Sequence, residues 1–284
     1  LYFRMAYNNE MYTNAPPTAV IQAPYASYQP GAGASPIVLQ PGAPQLPQYW
    51  VAVPSFSLPN CPPGLEFLHG REKVIIKEQQ RLVEFLVGVE LPNQYSIQTP
   101  TGEQIYCMAE EPRYLQAEVM GGNRGYKMQV IDGYRRIAFT IRRPLQFCKC
   151  ACCACCECCQ RESMVEGSGM VFGSMHTRQS CTSTALTIKD EVGKEIIHID
   201  GPCCCSYCCS SADFVLKSAT NRATVGHIKR KWKGCLRSTY SKANEFHIEF
   251  PADMDVRTKA NIIGACIMID FEQFEKSKHN RETG

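Results

Sequence analysis

From Met11 through Leu65 the chain has no aspartate, glutamate, lysine or arginine, while 12 of its 18 prolines fall between Pro16 and Pro63. Such a stretch cannot build a packed core, so residues 1–59 are expected to form a disordered, proline-rich tail that samples extended and polyproline conformers. Also missing are a Gly-rich phosphate loop, HExxH, GxSxG and any Cys-His nucleophile arrangement, and the six histidines are scattered. Covalent catalysis is therefore not the expected activity. Leu1 to Glu10 lacks a basic region followed by an apolar run, which predicts synthesis in the cytosol rather than export. The formal charge of +3, from 30 basic and 27 acidic residues, gives no global attraction to nucleic acid or anionic lipid, so any such partner needs a local patch.

What is abundant is cysteine. Of 18 cysteines, 13 crowd into two segments: eight between Cys148 and Cys159, and five (Cys203, Cys204, Cys205, Cys208 and Cys209) behind Gly201-Pro202. Adjacent thiols are poor mutual disulfide partners, and without an export signal this density points to thiol chemistry in a reducing compartment. Zinc is one option, since four thiolates complete a tetrahedral site and CxxC spacing recurs, although structural zinc sites use separated knuckles. S-acylation is the other and the preferred one. It needs only accessible cysteines near a bilayer, and at ~0.8 kcal/mol per buried CH₂ two chains hold stably. The second cluster fits acylation and a shared metal site equally.

Beyond Asn60-Cys61-Pro62-Pro63-Gly64, residues 60–276 alternate apolar and polar positions in short runs, with a polar tail over 277–284. Tyr95 and Ile97; Met128 and Val130; Ile137, Phe139 and Ile141; Leu186 and Ile188; Ile197 and Ile199; and Phe246, Ile248 and Phe250 mark half-buried strands. Asp132-Gly133 and the segment from Asp190 to Gly193 signal hairpins. Asp190 follows Asp132 by 58 residues and Pro202 follows Pro144 by 58, each hairpin preceding a cysteine cluster. This repeat of strand, turn, strand, Pro, Cys predicts a mainly β protein, a closed antiparallel barrel of two similar halves. The segment Ala260 to Ile269 is helical in pattern and apolar nearly all round, yet ten residues at ~1.5 Å reach about 15 Å, half of the ~30 Å hydrocarbon layer. A helix enclosed by the barrel is the expectation.

Three polar constellations remain. His227-Ile228-Lys229-Arg230-Lys231-Trp232-Lys233 carries Lys229, Arg230, Lys231 and Lys233 close behind a strand, a patch for anionic headgroups, for an importin-type nuclear import receptor, or simply a solvated face. No helix is patterned to read bases, which leaves DNA a speculative partner. Ser241 to Asp255 offers oxygens for calcium, but Val256 and Arg257 after Asp253-x-Asp255 exclude an EF-hand, so such a site would be weak. Overlapping PxxP units at Pro41, Pro44 and Pro47 fit an SH3-type groove or a plain spacer.

NCPPGLEFL at Asn60 to Leu68, RPLQFC with its cluster, GPCCCSYCC at Gly201 to Cys209, VGHIKRKWKG at Val225 to Gly234, FPADMDV, and KANIIGACIMIDFEQFE from Lys259 stand in order behind a Pro-rich tail. In this the chain resembles the phospholipid scramblases over Asn60 to Glu275. The resemblance implies a tubby-like barrel around the C-terminal helix and calcium-stimulated, ATP-independent, bidirectional movement of phospholipids at the plasma membrane. It implies palmitate on Cys152, Cys153, Cys155, Cys156, Cys158 and Cys159, attachment to the cytosolic face, and nuclear entry through Lys229, Arg230, Lys231 and Lys233 when unacylated. It also carries a single pass through the last helix, against which the length argument stands. A calcium set of Glu245, Glu249, Asp253 and Asp255 is implied as well, weakened because Lys242 and Asn244 stand where the family has acidic residues. The alternative function is a palmitoylation-switched adaptor or phosphoinositide-binding module.

Overall fold

A computed structural model describes residues 50–52, 61–78, 93–111, 125–145, 160–178, 183–203, 211–231 and 244–273. Among these, twelve strands form one closed antiparallel barrel: β1 (Lys73–Glu78), β2 (Gln94–Gln98), β3 (Gln104–Glu110), β4 (Tyr126–Asp132), β5 (Ile137–Arg143), β6 (Glu162–Gly167), β7 (Met170–Thr177), β8 (Ser183–Asp190), β9 (Glu195–Cys203), β10 (Ala212–Ser218), β11 (Thr224–Lys231) and β12 (Glu245–Glu249). Each strand pairs with its sequence neighbour, and β1 closes the ring on β12, Lys73 facing Glu249 and Ile75 facing His247. Closure leaves no open edge.

The alternation in sequence becomes an inside and an outside. Val74, Ile76, Ile97, Met128, Val130, Phe139, Ile141, Leu186, Ile188, Ile199, Phe246 and Ile248 are fully buried, while Lys73, Lys77, Lys229, Glu245 and Glu249 lie on the outer wall at the intervening positions. A transmembrane barrel has the reverse arrangement, apolar outside and polar within. Ile137 departs from its expected place: a bulge between Val130 and Ile131 resets the pairing, and Ile137 is left half exposed at the tip.

Helix α1 (Val256–Gln273) fills the bore. Lys259 to Glu272 are buried without a break, and each enclosed Ile contributes about 1.5–3 kcal/mol of burial. Its partners lie all round the wall: Asn261 Nδ2 donates to Phe172 O on β7, Phe271 stacks on Tyr126 of β4, and Asp270 accepts from Tyr95 of β2. Gly264 permits a close approach, because a Cβ there would stand 2.8 Å from Met175 Cε and from Val165 Cγ2. Among the described residues no helix is long and apolar enough to cross a membrane. The expectation of a barrel-enclosed helix is met, and the single pass through α1 is not.

The two related hairpins share more than their spacing. In each, the leading aspartate takes two loop N–H groups on Oδ1: Asp132 from Tyr134 and Arg136, Asp190 from Val192 and Lys194. The fourth residue is left-handed, Arg135 at φ 62° and Gly193 at φ 84°, and a bulge follows the same step in both. The pattern is a turn closed by a left-handed residue, not a two-residue Asp-Gly turn. The predicted two-half architecture does not hold. Equivalent halves of a twelve-stranded ring would be six strands apart, whereas β4–β5 and β8–β9 are four apart.

Candidate functional site

Up-and-down topology sorts the connections into two sets. The short turns β2–β3, β4–β5, β6–β7, β8–β9 and β10–β11 lie at one end, here the hairpin end. The other connections leave from the opposite end. Because β5 ends at Arg143 and β6 begins at Glu162, the first cysteine cluster departs there. Because β9 ends at Cys203 and β10 begins at Ala212, the second departs there too. Cys152, Cys153, Cys155, Cys156, Cys158 and Cys159, like Pro41, Pro44, Pro47 and Lys233, lie outside the described residues. The described thiols are of a different kind: burial pushes Cys107 up to about 12 and Cys266 well above the ordinary value, which keeps both neutral in the core.

The helix is locked at both ends. At the hairpin end Lys259 Nζ donates to Leu68 O (3.2 Å), Arg71 O (2.8 Å) and Ala252 O (2.8 Å), 5.0 Å from the Phe250 ring. Burial lowers its pKa to about 8, with Asp253 and Asp255 opposing, so it remains an ammonium at neutral pH. At the cysteine end Asp270 accepts from Tyr95 Oη (2.7 Å) and Asn244 Nδ2 (2.8 Å). Glu272 lies 3.8 Å from Arg143 and 3.5 Å from Arg161. The Arg143 guanidinium also stands 4.8 Å over the Tyr126 ring. Lys259 is thus held by loop carbonyls at the mouth of the barrel and Asp270 by hydrogen bonds, while Glu272 has two arginines near it but its buried Oε1 and Arg143 Nη1 make no hydrogen bond. Sequence reading missed this set. Its signal was that Lys259, Asp270 and Glu272 interrupt an apolar segment at both ends.

His227 to Lys231 of the basic strip lie within β11 rather than behind a strand. Lys229 Nζ reaches Glu249 Oε2 at 2.9 Å and Lys231 lies 4.0 Å from Glu245. Arg230 donates to Asn244 Oδ1, which links it through Asn244 to Asp270 on the helix. Lys73, Lys229, Arg230, Lys231 and His247 line an open groove of about 610 Å³ on the outer wall.

The calcium set is not gathered. Glu249 accepts from Lys73 on one oxygen (2.8 Å) and from Lys229 on the other (2.9 Å). Glu245 is held by His247 at 2.7 Å, and Asp255 caps the helix, accepting from the N–H groups of Arg257 and Thr258. Among the described residues no group of three or more His, Cys, Asp or Glu is placed to hold a metal ion. Glu245, Glu249 and Asp255 do not fit a bound cation as they stand.

Glu249 nonetheless has a measurable signature. The hydrogen bonds from Lys73 and Lys229 lower its pKa from 4.5 to about 2. A depressed carboxylate contributes stability that is full above 4.5 and lost as pH falls toward 2. Glu249→Gln is therefore expected to flatten the loss of stability across that window, read from denaturant midpoints at successive pH values.

A helix-filled antiparallel barrel whose two cysteine-rich connections leave one end defines the class. The model of the family described as Scramblase matches residues 52–276, and the chain belongs to that family. Phospholipid scramblase 1 of Homo sapiens is 36% identical over 228 residues, covering 80% of this chain and 70% of that protein. Phospholipid scramblase 2 of Homo sapiens is 34% identical, covering 87% and 82%, and phospholipid scramblase 4 of Homo sapiens 32%, covering 89% and 78%. No solved structure matches at a comparable level.

Proposed function

We propose that the chain moves phospholipids between leaflets in both directions without ATP, at the cytosolic face of the plasma membrane, held there by palmitate on Cys152, Cys153, Cys155, Cys156, Cys158 and Cys159. Membership of the Scramblase family supports the activity. The observation that carries the anchoring is that β5–β6 and β9–β10, which bracket both clusters, open at the same end of the barrel. Acyl chains on either would draw that one end to the bilayer. With α1 filling the bore, this reading places lipid movement in the bilayer beneath the anchored end. Acylated protein in vesicles bearing fluorescent lipid should accelerate lipid exposure over empty vesicles; no acceleration removes the activity from the proposal.

Calcium enters as a weak effector, since binding at Glu245, Glu249 or Asp255 must displace lysine, histidine or helix N–H partners. Isothermal titration of the full chain is expected to find no calcium site tighter than ~10⁻⁴ M. A micromolar site would assign regulation to residues outside this set.

A second reading, an acylation-switched adaptor or phosphoinositide-binding module, is favoured by the lysine-lined groove on β11, β12 and β1. On that reading the PxxP units recruit SH3-type domains, and an importin reads Lys229, Arg230, Lys231 and Lys233 when acylation is blocked. Because β11 is paired on both sides, import would require the strand to leave the sheet. Changing these four residues together should abolish nuclear accumulation of unacylated protein.

A further inference from the structure

The large apolar side chains that stand exposed among the described residues are Tyr134, Ile137, Met170, Val171 and Val192. All five sit at the hairpin end, on the three consecutive turns β4–β5, β6–β7 and β8–β9. Four strand spacings of ~4.8 Å separate the outer two turns, so the residues form an arc about 19 Å long on the end away from the cysteine clusters. We propose that this arc is a second lipid-contacting surface, whose hairpin tips dip into the headgroup layer of a phospholipid bilayer.

Two features favour lipid over water. Two of the three tips carry hydrogen-bond partners of their own: Asp132 Oδ1 takes the N–H groups of Tyr134 and Arg136, Asp132 O that of Arg135, Asp190 Oδ1 those of Val192 and Lys194, and Asp190 O that of Gly193. Loops bonded in this way leave water with fewer orphaned donors, the usual cost of placing irregular backbone in a bilayer. Beside the apolar tips stand Arg135 and Lys194, exposed, whose aliphatic stems can follow the tips while their charges reach lipid phosphates. The neighbouring Arg136 is committed to Asp132, and Arg257 to Glu191.

A second copy of the chain fits less well. Four side chains at roughly half exposure and Val192 at 81% present on the order of 500 Å², short of the ~800 Å² per partner that a standard protein interface buries. They also stand on separate projecting turns, a shape suited to a fluid layer. The surface does not depend on acylation. In a protein anchored through its cysteines it faces away from the anchoring bilayer, toward another membrane.

The test uses the full chain produced without acylation and flotation with vesicles of phosphatidylcholine and phosphatidylserine. The expected result is that the protein floats, and that Val192→Ser, Tyr134→Ser/Ile137→Ser and Met170→Ser/Val171→Ser each lower the bound fraction severalfold with the melting temperature unchanged. Val192→Trp should show a blue-shifted emission on adding vesicles. Failure of the unacylated chain to float, or flotation of all three serine variants as well as the parent, overturns the proposal. Self-association that the serine variants abolish, without flotation, assigns the arc to a second copy and overturns it equally. Loss of membrane anchoring in cells after cysteine replacement leaves this result untouched, so the two readings fail separately.

Discussion

Serine in place of Cys152, Cys153, Cys155, Cys156, Cys158 and Cys159 is expected to shift the protein from the membrane to the supernatant fraction, lowering the membrane-bound share at least ~10-fold. The arithmetic is that of acyl chains. One chain binds only marginally and reversibly at ~0.8 kcal/mol per buried CH₂, whereas two or more give stable anchoring. Since no described helix can cross a bilayer and the described wall is charged outside, the only contact left is the reversible one proposed for the hairpin tips, which washing of the membrane fraction removes. Cell fractionation beside a hydroxylamine-sensitive acyl-exchange assay reads both quantities, and the barrel's melting temperature controls for folding. Undiminished membrane retention of a variant free of acyl chains would remove the anchor from the proposed function.

The second large effect concerns the bore. Lys259→Met keeps the length of the side chain but leaves the carbonyls of Leu68, Arg71 and Ala252 without their shared donor. Asp270→Leu takes away the carboxylate that accepts from Tyr95 Oη and Asn244 Nδ2. Removing one side of a buried charge network costs about 3–5 kcal/mol. For a domain of this size that corresponds to a fall of roughly 10 °C in melting temperature. The sign separates two views of the helix. A segment that worked inside a bilayer would be improved by losing Lys259 and Asp270, because charge is expensive in hydrocarbon, and membrane extraction would become harder. The enclosed helix predicts the opposite, a less stable protein with no gain in extraction resistance, measured by thermal melting and alkaline carbonate washing.

Strand identity was legible because a barrel wall imposes period two: Val130, Phe139, Ile188, Ile197 and Ile248 all point inward as their alternation required. The helix was legible for a related reason, since a segment apolar on every face and too short to cross a bilayer has to be surrounded by protein. The related hairpins could be found because a turn depends on residues a few positions apart, and Asp132 and Asp190 act within five residues of chain. The turn type escaped. Asp-Gly suggests a two-residue loop, and the left-handed position fell instead on Arg135, which the pattern does not favour.

Pairings between distant residues were hidden. Nothing local in Lys73 announces Glu249, 176 residues away, nor in Asp270 announces Tyr95. The same distance explains the calcium set. Four acidic residues within eleven positions look like a shared site in one dimension, but a strand sets Glu245 and Glu249 among outer-wall lysines and histidine, while the turn assigns Asp255 to the helix N-terminus. Trp50 is a further case. Its segment belongs to the tail by composition, yet Val51 N donates to Gln104 O and the Trp50 ring packs over Gly133, where a Cβ would come within 2.9 Å. The barrel's contacts thus begin ahead of Asn60.

By itself the sequence determined the inside and outside of the wall, the burial of the last helix, the crowding of thiols into two segments and the family to which the chain belongs, because each is written in neighbouring residues or in their order. Which end of the molecule carries the thiols, which carries the exposed apolar tips, and which charges neutralise one another were decided only by the tertiary structure. An up-and-down barrel sends alternate connections to opposite ends, and closing it brings together residues that no sequence window contains.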